Sequence, residues 1–318
     1  MKILCICLSS TIQRTIHFEN LMLSKVNRSR NYRQDASGKA VNSARVLNQL
    51  EKNCTITLCP LGEKNLELFV TLAQKDGLTL KTLSIPGFTR ECWTLLDNSA
   101  NTTTELVVSE PVLSLQNNNL TKKEQEMLKN VNEKFLELVK QNICDVDAVL
   151  LAGSRPDFWD KNLYPNICLI AKQNKKFFLA DFIGDDLKNV IEKAVPSVIK
   201  INDEEFLQTF SKSTSLSQNQ ITDLEFKELI CQKSAELNNM IIVTRGTKST
   251  YAANKGIFFE CPTEKVYAVN TTACGDSFNA GFLYEYLKTN DFESSLKKGT
   301  WCAARNAERD CPGTILNI

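Results

Sequence analysis

Short runs of apolar, often β-branched residues alternate along this chain with longer segments in which apolar residues recur every three or four positions. The runs predict strands near 2–8, 55–61, 78–85, 147–152, 176–182, 198–201 and 240–244. The periodic segments predict helices near 39–50, 64–75, 121–142, 160–173, 221–237, 276–288 and 292–308. Strands with few polar positions, separated by amphipathic helices, imply an α/β fold with a mainly parallel central sheet and helices on both faces. Residues 11–36 and 88–110 break this rhythm. They carry strand-like stretches such as Thr15-Ile16-His17-Phe18 and Cys92-Trp93-Thr94-Leu95-Leu96 with no helix between them. Either they form a small separate β-sheet, a lid that covers an active site and offers an edge for a homodimer, or they extend the main sheet. The Ser-, Thr-, Gln- and Asn-rich stretch 211–220 reads as a mobile loop.

Length adds one constraint: 318 residues fit a single α/β domain, 1–318, with a small appendage. Charge adds another. Lysine plus arginine number 38 against 37 acidic residues, so no overall field draws the chain to nucleic acid or an anionic membrane, and a small-molecule partner is expected. The 12 cysteines are scattered and form no C-x-x-C pair, so most are expected to be reduced, buried small hydrophobes. Lys2 precedes an apolar run, Ile3 to Leu8, that is shorter than the roughly 7–15 residues of a secretory h-region, and a buried first strand accounts for it. No stretch approaches the roughly 18 apolar residues of a membrane span, and a soluble, cytoplasmic protein is expected.

The chemistry concentrates in two turns. Near the C-terminus, Val266-Tyr267-Ala268-Val269 reads as a strand and Ser277-Phe278-Asn279-Ala280-Gly281-Phe282 opens a helix, so Ala273-Cys274-Gly275-Asp276 is a strand-to-helix turn. Amides at a helix N-terminus, with the helix dipole, bind an anion such as a phosphoryl group, and a glycine lets the backbone approach it. Asp276 beside them can accept the proton of an attacking hydroxyl while the amides stabilise the developing charge. Alone, the same aspartate reads first as a simple helix N-cap.

The second turn is Ala36-Ser37-Gly38-Lys39-Ala40-Val41-Asn42-Ser43-Ala44-Arg45-Val46-Leu47. It is not a P-loop, which would need glycine at Arg33 and Ser or Thr at Ala40. What remains is a lysine opening a helix whose Val41, Ala44, Leu47 and Leu50 face the core, with Lys39 and Asn42 at the end that suits a substrate phosphate or hydroxyls.

These two clusters together, in this order, resemble the phosphofructokinase-B (ribokinase-like) sugar kinases, particularly the 1-phosphofructokinase and tagatose-6-phosphate kinase branch, over nearly the whole chain. Ser37 to Leu47 is similar to that branch's G-G-K-G-x-N-x-A-R-V-L, and Asn270 to Phe282 to its [DN]-T-x-G-A-G-D-[ST]-F-x-A-G-F. Between them Thr89-Arg90 resembles the end of a G-x-T-R turn, Gly153-Ser154-Arg155-Pro156 a G-S-L-P, Asn202-Asp203-Glu204-Glu205 an N-x-x-E, and Val243-Thr244-Arg245-Gly246 a V-[TS]-x-G. The resemblance implies a ribokinase-like fold and Asp276 as catalytic base, with the amides of Ala273, Cys274 and Gly275 as anion hole. It also implies ATP as donor, bound near Thr244, Gly246 and Asn306, with Mg²⁺ organised through water by Asn202 and Glu205. Lys39, Arg90 and Arg28, the last in a V-N-R like that of the same branch, would hold the acceptor's phosphate, and Gln13, Gly38 and Asn42 would meet its sugar.

The match departs from the pattern at informative places. Gln13 stands where the family usually has an aspartate for sugar hydroxyls, Ser37 and Ala40 replace glycines, and Ala273-Cys274 replaces Gly-Ala. The implied reaction is transfer to the free primary hydroxyl of a ketohexose phosphate, fructose 1-phosphate first and tagatose 6-phosphate second. A kinase for an unphosphorylated sugar or nucleoside remains open, as does a catalytically weak binder of sugar phosphate or nucleotide. Cys274 at a helix N-terminus is either a small packing residue or a reactive thiol. His17 and Trp93 read as lid-strand residues rather than as a base and an adenine platform.

Overall fold

The computed structural model describes residues 1–108, 122–211 and 221–316. Its larger sheet has nine strands. In chain order these are β1 (Ile3–Ile6), β4 (Thr55–Gly62), β5 (Leu80–Ile85), β8 (Ala148–Ala152), β9 (Phe177–Asp181), β10 (Val198–Asn202), β11 (Met240–Arg245), β12 (Lys248–Asn254) and β13 (Ile257–Cys261). Across the sheet they run β13-β12-β11-β10-β9-β8-β1-β4-β5, and β12 alone runs opposite to the rest, antiparallel to both β11 and β13. β1 lies in the interior and shows why parallel strands read as unbroken apolar runs. Ile3, Cys5 and Cys7 point into one core and Leu4, Ile6 and Leu8 into the other, nearly all fully buried.

Each face is covered by helices that supply the matching apolar stripe. On the Ile3 side pack α1 (Lys39–Leu50), α2 (Leu66–Lys75), α8 (Cys274–Thr289) and α9 (Phe292–Ala307). On the Leu4 side pack α3 (Lys122–Ile143), α4 (Leu163–Gln173), α5 (Gly184–Lys193), α6 (Asp203–Phe210) and α7 (Asp223–Leu237). The stripe Val41, Ala44 and Leu47 of α1 is buried, with Leu50 packed at its edge, as its spacing predicts.

The two irregular regions form a sheet of their own: β2 (Thr11–Phe18), β3 (Tyr32–Ser37), β6 (Arg90–Asp97) and β7 (Thr102–Val107), in the order β3-β2-β6-β7. They do not extend the main sheet. Gly62, which ends β4, lies where a β-carbon would fall 2.1 Å from the Phe88 carbonyl carbon, and its amide donates to Thr89 Oγ1 at 2.9 Å. That contact seats the start of β6 on the main sheet.

Some expectations need correction. Val266 to Val269 is not a strand: the sheet ends at β13, Tyr267 and Val269 are exposed, and the Val269 amide donates to Ala307 O instead of to a neighbouring strand. The β12–β13 hairpin, turning at Lys255-Gly256 with both φ positive, and the helices α5 and α6 have no counterpart in the predicted elements. The start of α6 is a capping box between Asn202 and Glu205, a helix signal carried by residues read as metal ligands. Apart from Ser211, the expected loop 211–220 lies outside the described residues, as do 109 and 110 of the expected lid. All 12 cysteines are free and nine are buried. Among the described residues no helix is long and apolar enough to cross a membrane.

Candidate active site

Open parallel sheets hold their ligands at the carboxyl ends of the strands. Here Ala152 is paired with Asp181 at the ends of β8 and β9, and Asn202 with Thr244 at the ends of β10 and β11. The chain returns to this edge at α8. Ala273, with φ 66°, reverses the backbone at the N-cap, and α8 starts at Cys274. The turn is held from behind by two asparagines. Asn270 accepts from the Thr272 amide at 2.9 Å and donates to Asp310 O at 3.0 Å. Asn306 donates to Thr272 O at 2.8 Å and accepts from the Gly313 amide at 2.7 Å. Asn306, expected near ATP, is fully buried and acts on the turn's shape. Of the expected anion-hole amides, that of Cys274 makes a long bond to Thr271 O at 3.3 Å.

Asp276 lies in the first turn of α8 and is almost wholly buried. Asn42, on α1, donates its Nδ2 to Asp276 Oδ2 at 2.8 Å, and Ser43 donates to the Asp276 carbonyl at 2.8 Å. Asn42 is oriented in turn, because its Oδ1 accepts from Ser37 Oγ at 2.9 Å and from Arg45 Nη1 at 3.0 Å. The two turns singled out in the sequence therefore meet through two hydrogen bonds, both on Asp276.

Below them lies a buried charge cluster that the motifs did not reveal. Asp181, fully buried, accepts from Lys39 Nζ at 2.9 Å, Lys200 Nζ at 3.2 Å and Asn279 Nδ2 at 2.6 Å. Burial alone would raise its pKa, but Lys200 and Lys39 hold it well below the usual carboxylate range. Asp276 goes the other way. Burial, then the charge on Asp181, push its carboxyl up to about 6, against the opposing pull of Lys39 and the Asn42 hydrogen bond. Lys200 lies on the far side of the same turn: a β-carbon on Gly275 would stand 2.8 Å from its Nζ. The signal for Lys200 was a lone cation inside the apolar strand Val198-Ile199-Lys200-Ile201.

The remaining expected residues divide by position. Asn202 and Glu205 exchange backbone-to-side-chain bonds of 2.8 Å in their capping box, leaving Glu205 Oε1, 3.9 Å from Lys39 Nζ, facing the cluster. A lone outward carboxylate oxygen fits a hard cation that keeps its own waters and the donor's phosphates. Among the described residues no group of three or more His, Cys, Asp or Glu could cage a metal unaided. Gly246, with φ 61°, turns the chain just past Thr244. Gly38, with φ 126°, packs where a β-carbon would stand 2.7 Å from Cys7 Sγ. Gln13, buried in β2, donates to Thr94 Oγ1 at 2.5 Å. Arg90 reaches Ser9 O at 3.5 Å, whereas Arg28 lies exposed in the β2–β3 connection. Burial, opposed by the Asn306 hydrogen bond, pushes the Cys274 thiol up to about 11, which disfavours the thiolate that a reactive cysteine needs. His17 lies 3.9 Å from Asp310 and Trp93 beneath the Arg14 guanidinium, both on lid strands.

Residues 2–316 match the family described as pfkB family carbohydrate kinase. Solved structures share the fold at low sequence identity. A possible 1-phosphofructokinase from Thermotoga maritima is 18% identical, with a TM-score of 0.80 over 97% of this chain and 92% of that one. Phosphofructokinase-2 from Escherichia coli, in complex with potassium, is 12% identical, with a TM-score of 0.80 over 98% and 94%. Ribokinase from Thermotoga maritima is 18% identical, with a TM-score of 0.68 over 98% and 95%. With the family match running nearly end to end on a ribokinase-like fold, the chain belongs to the pfkB family of carbohydrate kinases.

Proposed function

We propose that this sugar kinase transfers the γ-phosphoryl group of ATP to the free primary hydroxyl of a ketohexose phosphate, with fructose 1-phosphate, giving fructose 1,6-bisphosphate, as the first substrate and tagatose 6-phosphate as the second. The observation that carries the reading is Asp276: a carboxylate at a helix N-terminus, oriented by Asn42, with its pKa raised to about 6. A base poised near the working pH can take a proton from a hydroxyl and still be mostly ionised beforehand. In the step, the acceptor oxygen bonds to the γ-phosphorus as its proton passes to Asp276 and the bond to the bridging oxygen breaks, releasing ADP. The amides of the Ala273–Gly275 turn and the Lys200 ammonium beside Gly275 receive the charge that builds on the transferred group. Asp181 fixes Lys39 and Lys200 in place.

Bound with ATP, Mg²⁺ would neutralise charge on the β- and γ-phosphates, and Glu205 Oε1 with Asn202 would hold it through water. Thr244, paired with Asn202 across β10 and β11, and Gly246 just beyond it would meet the donor nucleotide. The four-stranded sheet acts as the lid of one kinase unit spanning the chain, and Thr272 Oγ1, 3.3 Å from Glu105 Oε1, joins its β7 edge to the anion turn. Its outer face, with Leu106 exposed and Arg14 paired to Glu91 beside Trp93, suits a second copy of the chain. Location in the cytoplasm, where ATP and sugar phosphates are supplied, accords with this chemistry.

The test is ADP release measured across ketohexose phosphates and free sugars with Mg²⁺. Turnover of fructose 1-phosphate with kcat/KM far above that for fructose is expected. Silence on every acceptor despite measurable ATP binding would sink the reading and leave a binding protein.

A further inference from the structure

The inner face of the small sheet, which looks onto the α8 turn, carries a cation that the motifs do not include. Arg33 and Asp35 on β3 pair across the ladder with Thr15 and Gln13 on β2, so the four side chains share one face. That this face is the inner one follows from Cys311 Sγ, 3.9 Å from Asp35 Oδ1, and from Glu105, which shares the face through Thr94 and accepts from Thr272.

Asp35 is 4% exposed, and both of its oxygens accept from Arg33 Nε, at 2.9 and 2.8 Å. The guanidinium is thereby anchored by its inner nitrogen. Its two terminal nitrogens make no hydrogen bond among the described residues, and 34% of the side chain is exposed. Beside it the Thr15 hydroxyl is buried with no partner, an uncompensated polar atom of the kind a ligand satisfies. Lys39, meanwhile, is turned down onto the buried Asp181 and toward Glu205, which commits its charge to the donor side of the site.

We infer that Arg33, held by Asp35, binds the phosphate of the acceptor and makes this chain selective for a phosphorylated sugar over a neutral one. The inference rests on the sugar-phosphate reading above and names a residue that sets its specificity. Two free terminal nitrogens on a planar, always charged fork match two oxygens of a phosphate, a geometry lysine does not offer. Asp35 is a positioning residue: without its carboxylate the guanidinium keeps its charge and loses its aim.

The experiment uses the full chain, with calorimetric binding of fructose 1-phosphate, tagatose 6-phosphate and fructose, and steady-state kinetics in parallel. Arg33→Gln should weaken binding of the phosphorylated sugars about 10- to 100-fold, the loss falling on their KM rather than on kcat or on KM for ATP. Binding of fructose should not change. Asp35→Asn should raise the same KM several-fold, with partial rescue in Asp35→Glu, which a purely structural role would not give. Thermal unfolding of each variant checks that the fold persists. Wild-type binding and turnover with Arg33→Gln unaffected would overturn the inference and leave the kinase reading standing. Wild-type binding without turnover would overturn the kinase reading while the binding comparison still decides Arg33. Failure of the wild type to bind either sugar phosphate overturns both.

Discussion

The ammonium of Lys200 rests 2.8 Å from the point where a β-carbon on Gly275 would stand. Gly275 is helical and has no unusual φ to require glycine. Space is the requirement: the missing side chain admits a buried cation against the first turn of α8, where transferred phosphoryl charge would gather.

Gly275→Ala therefore separates helix stability from catalysis. Alanine favours a helix by up to about 1 kcal/mol over glycine, so thermal unfolding should change by only a few degrees. The displaced ammonium should lower kcat about 10²- to 10³-fold, the scale of losing one oxyanion donor. Unaltered kcat in steady-state assays would show that Lys200 does not serve the transfer.

Asp276 gives a linked prediction in pH. Its folded pKa of about 6 lies above the ordinary 3.8. Below about pH 3 the carboxyl is protonated in both states and costs nothing. As pH rises toward 6 the unfolded chain releases its proton first, and the native state loses stability, by about 3 kcal/mol once both states are ionised. Asp276→Asn should then melt at a higher temperature than wild type at pH 8, with the gap closing by about pH 3, while activity drops about 10²- to 10⁴-fold. In the wild type, kcat/KM should fall roughly tenfold per pH unit below about 6.

The Asp181–Lys200 pair is open to a double-mutant cycle. Lys200 is 4% exposed and Asp181 fully buried, so removing one partner strands the other's charge. Lys200→Met and Asp181→Asn should each cost about 3–5 kcal/mol in chemical denaturation, and the double variant should cost clearly less than their sum. Additive losses would mean that the two charges do not depend on each other.

Gly62→Ala tests the seat of the small sheet. The added carbon would overlap the Phe88 backbone, which cannot swing aside as a side chain end can. Destabilisation of several kcal/mol, or loss of soluble protein, is expected, more than for Gly77→Ala, where nothing stands within 4 Å of the new carbon and only the left-handed φ of 67° costs about 1–2 kcal/mol. Equal effects at the two positions would refute the contact.

What could be read from residue order was local. The span 39–50 coincides with α1, because Val41, Ala44 and Leu47 announce a buried stripe and Gly38-Lys39 a helix start. The turn into α8 was legible from Phe278 and Phe282 on one helix face, although the helix begins two residues earlier than expected, at Cys274, with Ala273 as the turning residue. Helix α6 was overlooked where its capping box was read as metal chemistry, and Val266 to Val269 imitated a strand because alternation says nothing about whether a partner is present. Asp181 and Lys200 belong to no motif, and Asn279 stands at an unspecified position of one; their meeting is produced by topology, which sets β9, β10 and α8 side by side from distant parts of the chain. Arg33 and Asp35 became a pair only when β3 folded back along β2.

The bond from Asn42 to Asp276 spans 234 positions. At about 5–20 residues per second during translation, on the order of 10–50 s separate the appearance of its two ends. A nascent chain thus holds Gly38 to Asn42 for much of its synthesis without Asp276. If Asp276 serves as the proposed base, the site is completed only late, once α8 packs against α1.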